Sequence, residues 1–330
     1  MTTTSSALNR ARYVATAFAI GCLLGPCLAL AQYPVKPIRF FVPIPPGGAP
    51  DIIARVVADK LSPLLGQPVV VETRAGSGGN IATDLVARAA PDGYTVMIAY
   101  DAMIVINPHM YANMTVDPMK DLLPIASMAV ARSMLLVVNP SLPVKDLKDF
   151  IEYAKKANPP LAFASGGSGS QHQMSMELLK SRAGINLLHV PYKGGAPAAT
   201  AVMGGEVPVM FAGSVNATQV RAGKLRLLGV TGESRLPIFP DVPAIGELYP
   251  GYLITTWMGM FGPAGMPEPV TARLRADTRR ALAMPEVRER IMTASSLETY
   301  NATPEEFSSV IRADYEKYGK LVKQFGIKAD

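Results

Sequence analysis

Cysteine is scarce in this chain of 330 residues: Cys22 and Cys27 are the only two, and both fall within the first 31 positions. Histidine is nearly as rare, with three, tryptophan occurs once, and charged residues make up only 18%. Those first 31 residues contain Arg10 and Arg12, no acid, and an apolar run from Val14 to Leu30 that closes on Ala29-Leu30-Ala31, a small-x-small cleavage site. They read as a signal peptide over 1–31, cleaved after Ala31. The run carries Gly21, Gly25 and Pro26, which argues against a membrane anchor. Pro26 before Cys27, and Ala19 three before Cys22, fit lipidation poorly. Ala11 separates the two arginines, so this is no twin-arginine signal, export is of an unfolded chain, and no cofactor is expected.

Without the leader the chain has no cysteine, which excludes disulfides, thiol nucleophiles and zinc–thiolate sites. His109, His172 and His189 lie far apart and lack metal-ligand spacing, so no metal is expected either. Losing two arginines takes the charge from +6 to +4, with 30 basic against 26 acidic residues and no basic run of five. No nucleic-acid partner is expected from that balance.

What is present is apolar and strongly punctuated. Hydrophobic residues reach 49%, which excludes intrinsic disorder, and 29 Pro with 28 Gly indicate many loops between short elements. Short β-rich runs are predicted at Ile38–Pro43, Val69–Glu72, Thr95–Tyr100, Met134–Val138, Leu161–Ala164, Leu187–Val190, Val207–Phe211 and Leu225–Val230. Helical spacing separates several of them: Ile52, Ile53, Val56, Val57, Leu61 and Leu64 form one stripe, and residues 81–90, 145–156 and 171–182 carry others. This alternation predicts an α/β chain with largely parallel sheets, and about 300 residues suit two domains. Thr303-Pro304-Glu305-Glu306 reads as the capping box of a C-terminal helix.

Three glycine-rich loops follow predicted strands and precede helices: Pro45-Pro46-Gly47-Gly48-Ala49-Pro50-Asp51, Ala75-Gly76-Ser77-Gly78-Gly79-Asn80 and Ser165-Gly166-Gly167-Ser168-Gly169-Ser170. Such loops let a backbone approach a ligand and aim helix N-terminal N–H groups at it, which favours an anion. Ligands in open α/β sheets bind at these strand ends. Neither G-x-G-x-x-G nor G-x-x-x-x-G-K-[ST] is satisfied. The serine-hydrolase elbow fails by one residue at Ser77, preceded by Ala75, and at Ser168, followed by Ser170. A carboxylate fits better than a nucleotide, and no catalytic residue is assigned. Tyr192-Lys193-Gly194-Gly195 forms a fourth turn, whose Lys193 either neutralises a ligand or lies solvated. Asp101, at the end of the Thr95–Tyr100 run, either accepts from a ligand hydroxyl or amine, orders water, or serves the turn.

The run Tyr33-Pro34-Val35-Lys36-Pro37-Ile38-Arg39, with Val42-Pro43 and Pro45-Pro46-Gly47-Gly48 through Asp51, resembles the start of the Bug-type periplasmic receptors of tripartite tricarboxylate transporters. The likeness continues at Leu65-Gly66-Gln67-Pro68, Ala90-Pro91-Asp92-Gly93-Tyr94-Thr95, His189-Val190-Pro191-Tyr192-Lys193-Gly194 and Asp241-Val242-Pro243. It implies a two-lobed periplasmic binding protein, type II-like, with two Rossmann-like lobes and a hinge: 32–130 plus 255–330 as lobe 1 and 131–254 as lobe 2. It further implies a receptor, expected to be a monomer, that captures a small carboxylate and presents it to the membrane subunits of a transporter; the alternatives are a ligand sensor for a membrane histidine kinase and a secreted hydrolase using Ser168 or Ser77. Under this resemblance the loops Ile44 to Gly48, with Pro46 and Gly47, and Ser165 to Ser170, with Gly167, Ser168 and Gly169, hold the carboxylate from opposite lobes. Asp51, Gly78, Asp101, Lys193, Gly194 and Ser214, near the same strand ends, are further candidate ligand-binding residues. Ile44 replaces a frequent aromatic and Ala212 a frequent aspartate, so an amino acid such as aspartate is not the expected ligand.

Overall fold

The computed structural model describes residues 33–328. The chain divides into two compact units, Met1–Lys36 and Pro37–Asp330. Of the first, only 33–36 are described, and they form neither helix nor strand. The leader with its cleavage site, Cys22 and Cys27 lie outside the described residues.

Strands β1 (Ile38–Val42), β2 (Val69–Thr73), β3 (Thr95–Tyr100), β4 (Leu122–Ala131), β10 (Thr256–Pro263) and β11 (Glu298–Thr299) form a six-stranded sheet. Strands β5 (Leu135–Val138), β6 (Leu161–Ser165), β7 (Leu187–Pro191), β8 (Val209–Ala212) and β9 (Arg226–Val230) form a five-stranded one. The orders are β11-β4-β10-β3-β1-β2 and β7-β6-β8-β5-β9. The helices of eight residues or more are α1 (Ala49–Leu65), α2 (Asn80–Ala87), α3 (Leu147–Lys156), α4 (Gln171–Ala183), α5 (Gly195–Gly204), α6 (Glu268–Ala283), α7 (Pro285–Ser295) and α8 (Pro304–Phe325). None of the described helices is long and apolar enough to cross a membrane.

The sheets are mixed, which corrects the expectation of largely parallel ones. Strand β1 pairs parallel with β2 and β3, and β6 pairs parallel with β7 and β8. In contrast β10 runs antiparallel to β3 and β4, and β5 antiparallel to β8 and β9. Crossover helices make the parallel triplets. The antiparallel pairs have another origin: the chain leaves the six-stranded sheet along β4 and returns along its neighbour β10, so the two must run in opposite directions. Strands β5 and β9, which enter and leave the other sheet, obey the same constraint.

The two crossing segments are laced together. Met134 N–H donates to Thr231 Oγ1 (2.8 Å), Gly232 N–H to Ser133 Oγ (3.0 Å), and Thr231 Oγ1 to the Ile254 carbonyl. Strand β5 is buried on both faces. Leu136 and Val138 pack with Phe150, Ile151 and Phe163, whereas Leu135 and Val137 pack with Ala198, Val202 and Met210. That period of two explains why β5 reads as a continuous apolar run. At the C-terminus the capping box forms as predicted: Glu306 N–H donates to Thr303 Oγ1 (3.2 Å), and Thr303 N–H donates to the Glu306 carboxylate (2.8 Å).

Candidate functional site

Each sheet contributes one parallel triplet, β3-β1-β2 and β7-β6-β8, and every candidate residue lies at or just beyond the C-terminal end of one of those six strands. Parallel strands present their C-terminal ends on one edge, so each sheet gathers its candidates there. Among the described residues, no group of three His, Cys, Asp or Glu could hold a metal.

The loop after β1 is shaped by Asp51. Its carboxylate accepts from the Gly47 N–H (3.0 Å) and from Arg55 Nε (2.9 Å). Burial opposes its ionisation, but Arg55 and the Gly47 N–H outweigh burial and hold the carboxyl below its ordinary range. Asp51 and the Gly47 N–H are therefore occupied with each other. The first turn of α1 begins with Ile52 N–H donating to the Gly48 carbonyl (3.1 Å), which leaves Ala49 and Asp51 N–H without an intrahelical acceptor. Pro46 and Gly47 are exposed, and the half-buried Ile44 folds over Gly48, where a Cβ would overlap its Cδ1.

The loop after β6 also satisfies much of itself. Ser165 is fully buried, and its hydroxyl pairs with His189 Nε2 (2.6 Å) while accepting from the Gly167 N–H (3.1 Å). Gly169 N–H donates to Gln173 Oε1 (2.8 Å), and Ser170 Oγ caps α4 by accepting from the Gln173 N–H while donating to the Gly167 carbonyl. Ser168, half-buried, is the serine of this loop whose hydroxyl no described residue engages. Burial, reinforced by Lys180, lowers His189 to about 4, so the imidazole beside Ser165 is neutral.

The fourth turn touches this loop through His172. A Cβ on Gly166 would stand 3.0 Å from His172 Nδ1, and one on Gly195 3.0 Å from its Nε2, so the ring fits only between two glycines. Lys193 is exposed, Gly194 precedes α5, and Ser214 Oγ donates to the Ser133 carbonyl (3.1 Å) in a crossing segment. Ala212 ends β8 inside the apolar cluster of Ala198 and Val202. On the other sheet, the Gly78 carbonyl accepts from Tyr100 OH (2.8 Å) and Asn107 Nδ2 (3.1 Å), which ties the second glycine loop to β3 and the short helix Asn107–Met110.

Asp101 is buried and bonded within the protein. It is 1% exposed, Ala102 N–H donates to its Oδ1 (2.8 Å), and Gln171 Nε2 donates to its Oδ2 (2.7 Å). The loop after β1 shares no hydrogen bond with those after β6 and β7 among the described residues.

The model of the tripartite tricarboxylate transporter family receptor matches residues 53–327. The chain belongs to that receptor family. The receptor is similar to the solved periplasmic binding protein BugD, at 32% identity and a TM-score of 0.80 over 90% of this chain and 100% of the other. It is similar to Rpa4515 of R. palustris, solved with adipate, at 30% identity and TM-score 0.82 over 90% and 99%. Similarity to MatC of Rhodopseudomonas palustris, solved with bound malate, is 31% with TM-score 0.78 over 88% and 100%. The receptor thus has the two-lobed, hinged α/β fold of the periplasmic binding proteins, and its family role is to bind a solute. Sequence reasoning missed Gln171, His172 and Gln173 at the start of α4. The available signal was three adjacent amide or imidazole side chains directly after an N-cap serine, on a helix that had to pack.

Proposed function

We propose that the receptor captures a small organic dicarboxylate in the periplasm and presents it to the membrane subunits of a tripartite transporter, acting as a monomer without catalysis. One lobe comprises 32–130 plus 255–330 and the other 131–254. The laced segments at 132–134 and 231–255 serve as the hinge. The loop at 44–48 with the first turn of α1 takes one side of the carboxylate; Ser168, the first turn of α4 and Gly194 at the start of α5 take the other. The observation that carries this reading is the set of helix N-termini at the C-terminal ends of both parallel triplets, whose first-turn N–H groups lack intrahelical acceptors. The adipate and malate with which two similar proteins were solved support a dicarboxylate as the ligand.

A thermal-shift and calorimetric panel of adipate, malate, a tricarboxylate, an aromatic acid and aspartate tests it. A ligand at a hundred times its Kd adds about 2.7 kcal/mol. That corresponds to a rise of about 4 °C for a chain of this size. A response to the tricarboxylate or the aromatic acid alone, or to no acid, would overturn the assignment, and tight aspartate binding would overturn the expectation that Ala212 and Ile44 exclude an amino acid.

A further inference from the structure

Gln171 is 7% exposed and joins three segments distant in sequence. Its Nε2 donates to Asp101 Oδ2 (2.7 Å), and its Oε1 accepts from the hydroxyl of Tyr318 (3.1 Å), a fully buried residue of α8. Asp101 follows β3 in the six-stranded sheet, whereas Gln171 opens α4 directly after the loop at 165–170, which follows β6 in the five-stranded sheet. The same loop touches the first lobe again at Gly169, where a Cβ would stand 2.5 Å from Met110 Sδ.

We infer that Gln171 is a positioning residue of the carboxylate site: its buried amide clamps the start of α4, and with it the loop at 165–170, to the opposite lobe through Asp101 and Tyr318. The inference rests on the reading that this loop holds the ligand. An amide suits the task because it offers a donor to one side and an acceptor to the other. Turned over, it serves equally well when the facing carboxyl is protonated, since Tyr318 OH can accept as well as donate. The titratable and charged groups around Asp101 are Asp314, Lys317 and Tyr318 on α8 and Tyr100 at the end of β3; Gln171, the residue of α4 that touches it, is neutral. Burial, with Asp314 adding to it, raises the Asp101 carboxyl toward neutrality. The clamp thus meets both protonation states near pH 7, and the turning amide accommodates each.

The test compares Gln171→Ala, Asp101→Asn and Tyr318→Phe in the full mature chain by two readouts. The first, without ligand, is hydrogen–deuterium exchange of the peptide covering 165–172, referenced to α6. The second is calorimetric titration with adipate and malate, well below each variant's Tm. Gln171→Ala should raise exchange of 165–172 at least tenfold while leaving α6 unchanged, and weaken probe binding about tenfold. Asp101→Asn should keep both within about threefold of wild type, because the Gln171 amide can turn to meet the new one. Tyr318→Phe should fall between and stands in if Gln171→Ala does not fold. Wild-type exchange and affinity in Gln171→Ala would overturn the clamp, and equal loss in Asp101→Asn and Gln171→Ala would overturn the turning of its amide. If neither probe binds wild type, the ligand assignment fails, and the exchange arm still decides the clamp.

Discussion

Replacing Asp101 by Asn should reshape the dependence of stability on pH in a direction that burial fixes. Burial first, and the negative charge of Asp314 second, raise Asp101 from the ordinary 3.8 to about 7, against the opposing pull of Ala102 N–H, Gln171 and Lys317. The folded state therefore holds this proton more tightly than the unfolded chain. The stability linked to it is fully present below about 4 and is lost as pH rises through about 7. The difference is on the order of 4 kcal/mol for this fully buried group. Spread over an unfolding entropy of about 0.6 kcal/mol/K for roughly 300 residues, it amounts to about 6 °C. The wild-type curve alone does not isolate it. His172 and His189 are lowered to about 4 by burial, so the stability they lend is present above their ordinary 6.5 and fades as pH falls, opposing Asp101 over the same window. The Tm of Asp101→Asn minus that of wild type cancels the histidines. By differential scanning calorimetry it should rise by about 6 °C between pH 4 and pH 8. A difference flat to within about 1 °C across that range would refute the assignment of a buried, neutral-pH carboxyl.

Three further outcomes follow from the same geometry. Ser168→Ala should weaken adipate or malate binding several-fold in calorimetry while leaving Tm unchanged, because no described residue engages that hydroxyl. Gly169→Ala should cost about 1–3 kcal/mol by denaturant unfolding. The new methyl stands 2.5 Å from Met110 Sδ at a residue with φ of 75°, and probe affinity should fall with it. Thr303→Ala removes the side chain that accepts from the Glu306 N–H and should lower stability by about 1 kcal/mol, or about 2 °C in Tm, without changing affinity.

The parts of the fold legible in the sequence are those fixed by local chemistry. The run Thr95–Tyr100 forms β3 as read, and Thr303 with Glu306 caps α8. Strands β4 and β10 were hidden because their signals are broken. Pro124 lies inside β4, while Gly259 and Gly262 interrupt β10, whose register against β4 shifts twice. Gly259 has its own reason: a Cβ there would stand 2.5 Å from Phe307 Cζ, so the absent side chain that weakens the strand pattern is what lets α8 pack. At the candidate site, the order of strand, glycine loop and helix was legible. That Asp51, Ser165 and Gln173 would take up the N–H groups of Gly47, Gly167 and Gly169 was not, since it depends on side-chain orientation. Asp101 was the hardest residue to read, because the groups that bury and bond it come from Gln171, 70 positions away, and from α8.

Those internal bonds bear on how such a site can favour an anion without a cation at its centre. A glycine loop with every N–H unpaired would have to be ordered by its ligand, and the entropy of that ordering would be subtracted from affinity. Here Asp51 holds the loop after β1, and Ser165, Ser170 and Gln173 hold the loop after β6, so the ordering is completed during folding. On the proposed reading, the donors that remain, at the first turns of α1, α4 and α5, are then fixed in direction before a carboxylate arrives. Because they are neutral peptide dipoles rather than lysine or arginine side chains, their attraction is short-ranged and falls off within a helical turn. A carboxylate held this way is recognised by the position of its oxygens rather than by its net charge. Under the proposed site, the loop at 165–170, held by Gln173 at Gly169 and by Gln171 at the start of α4, would then set selectivity through its rigidity.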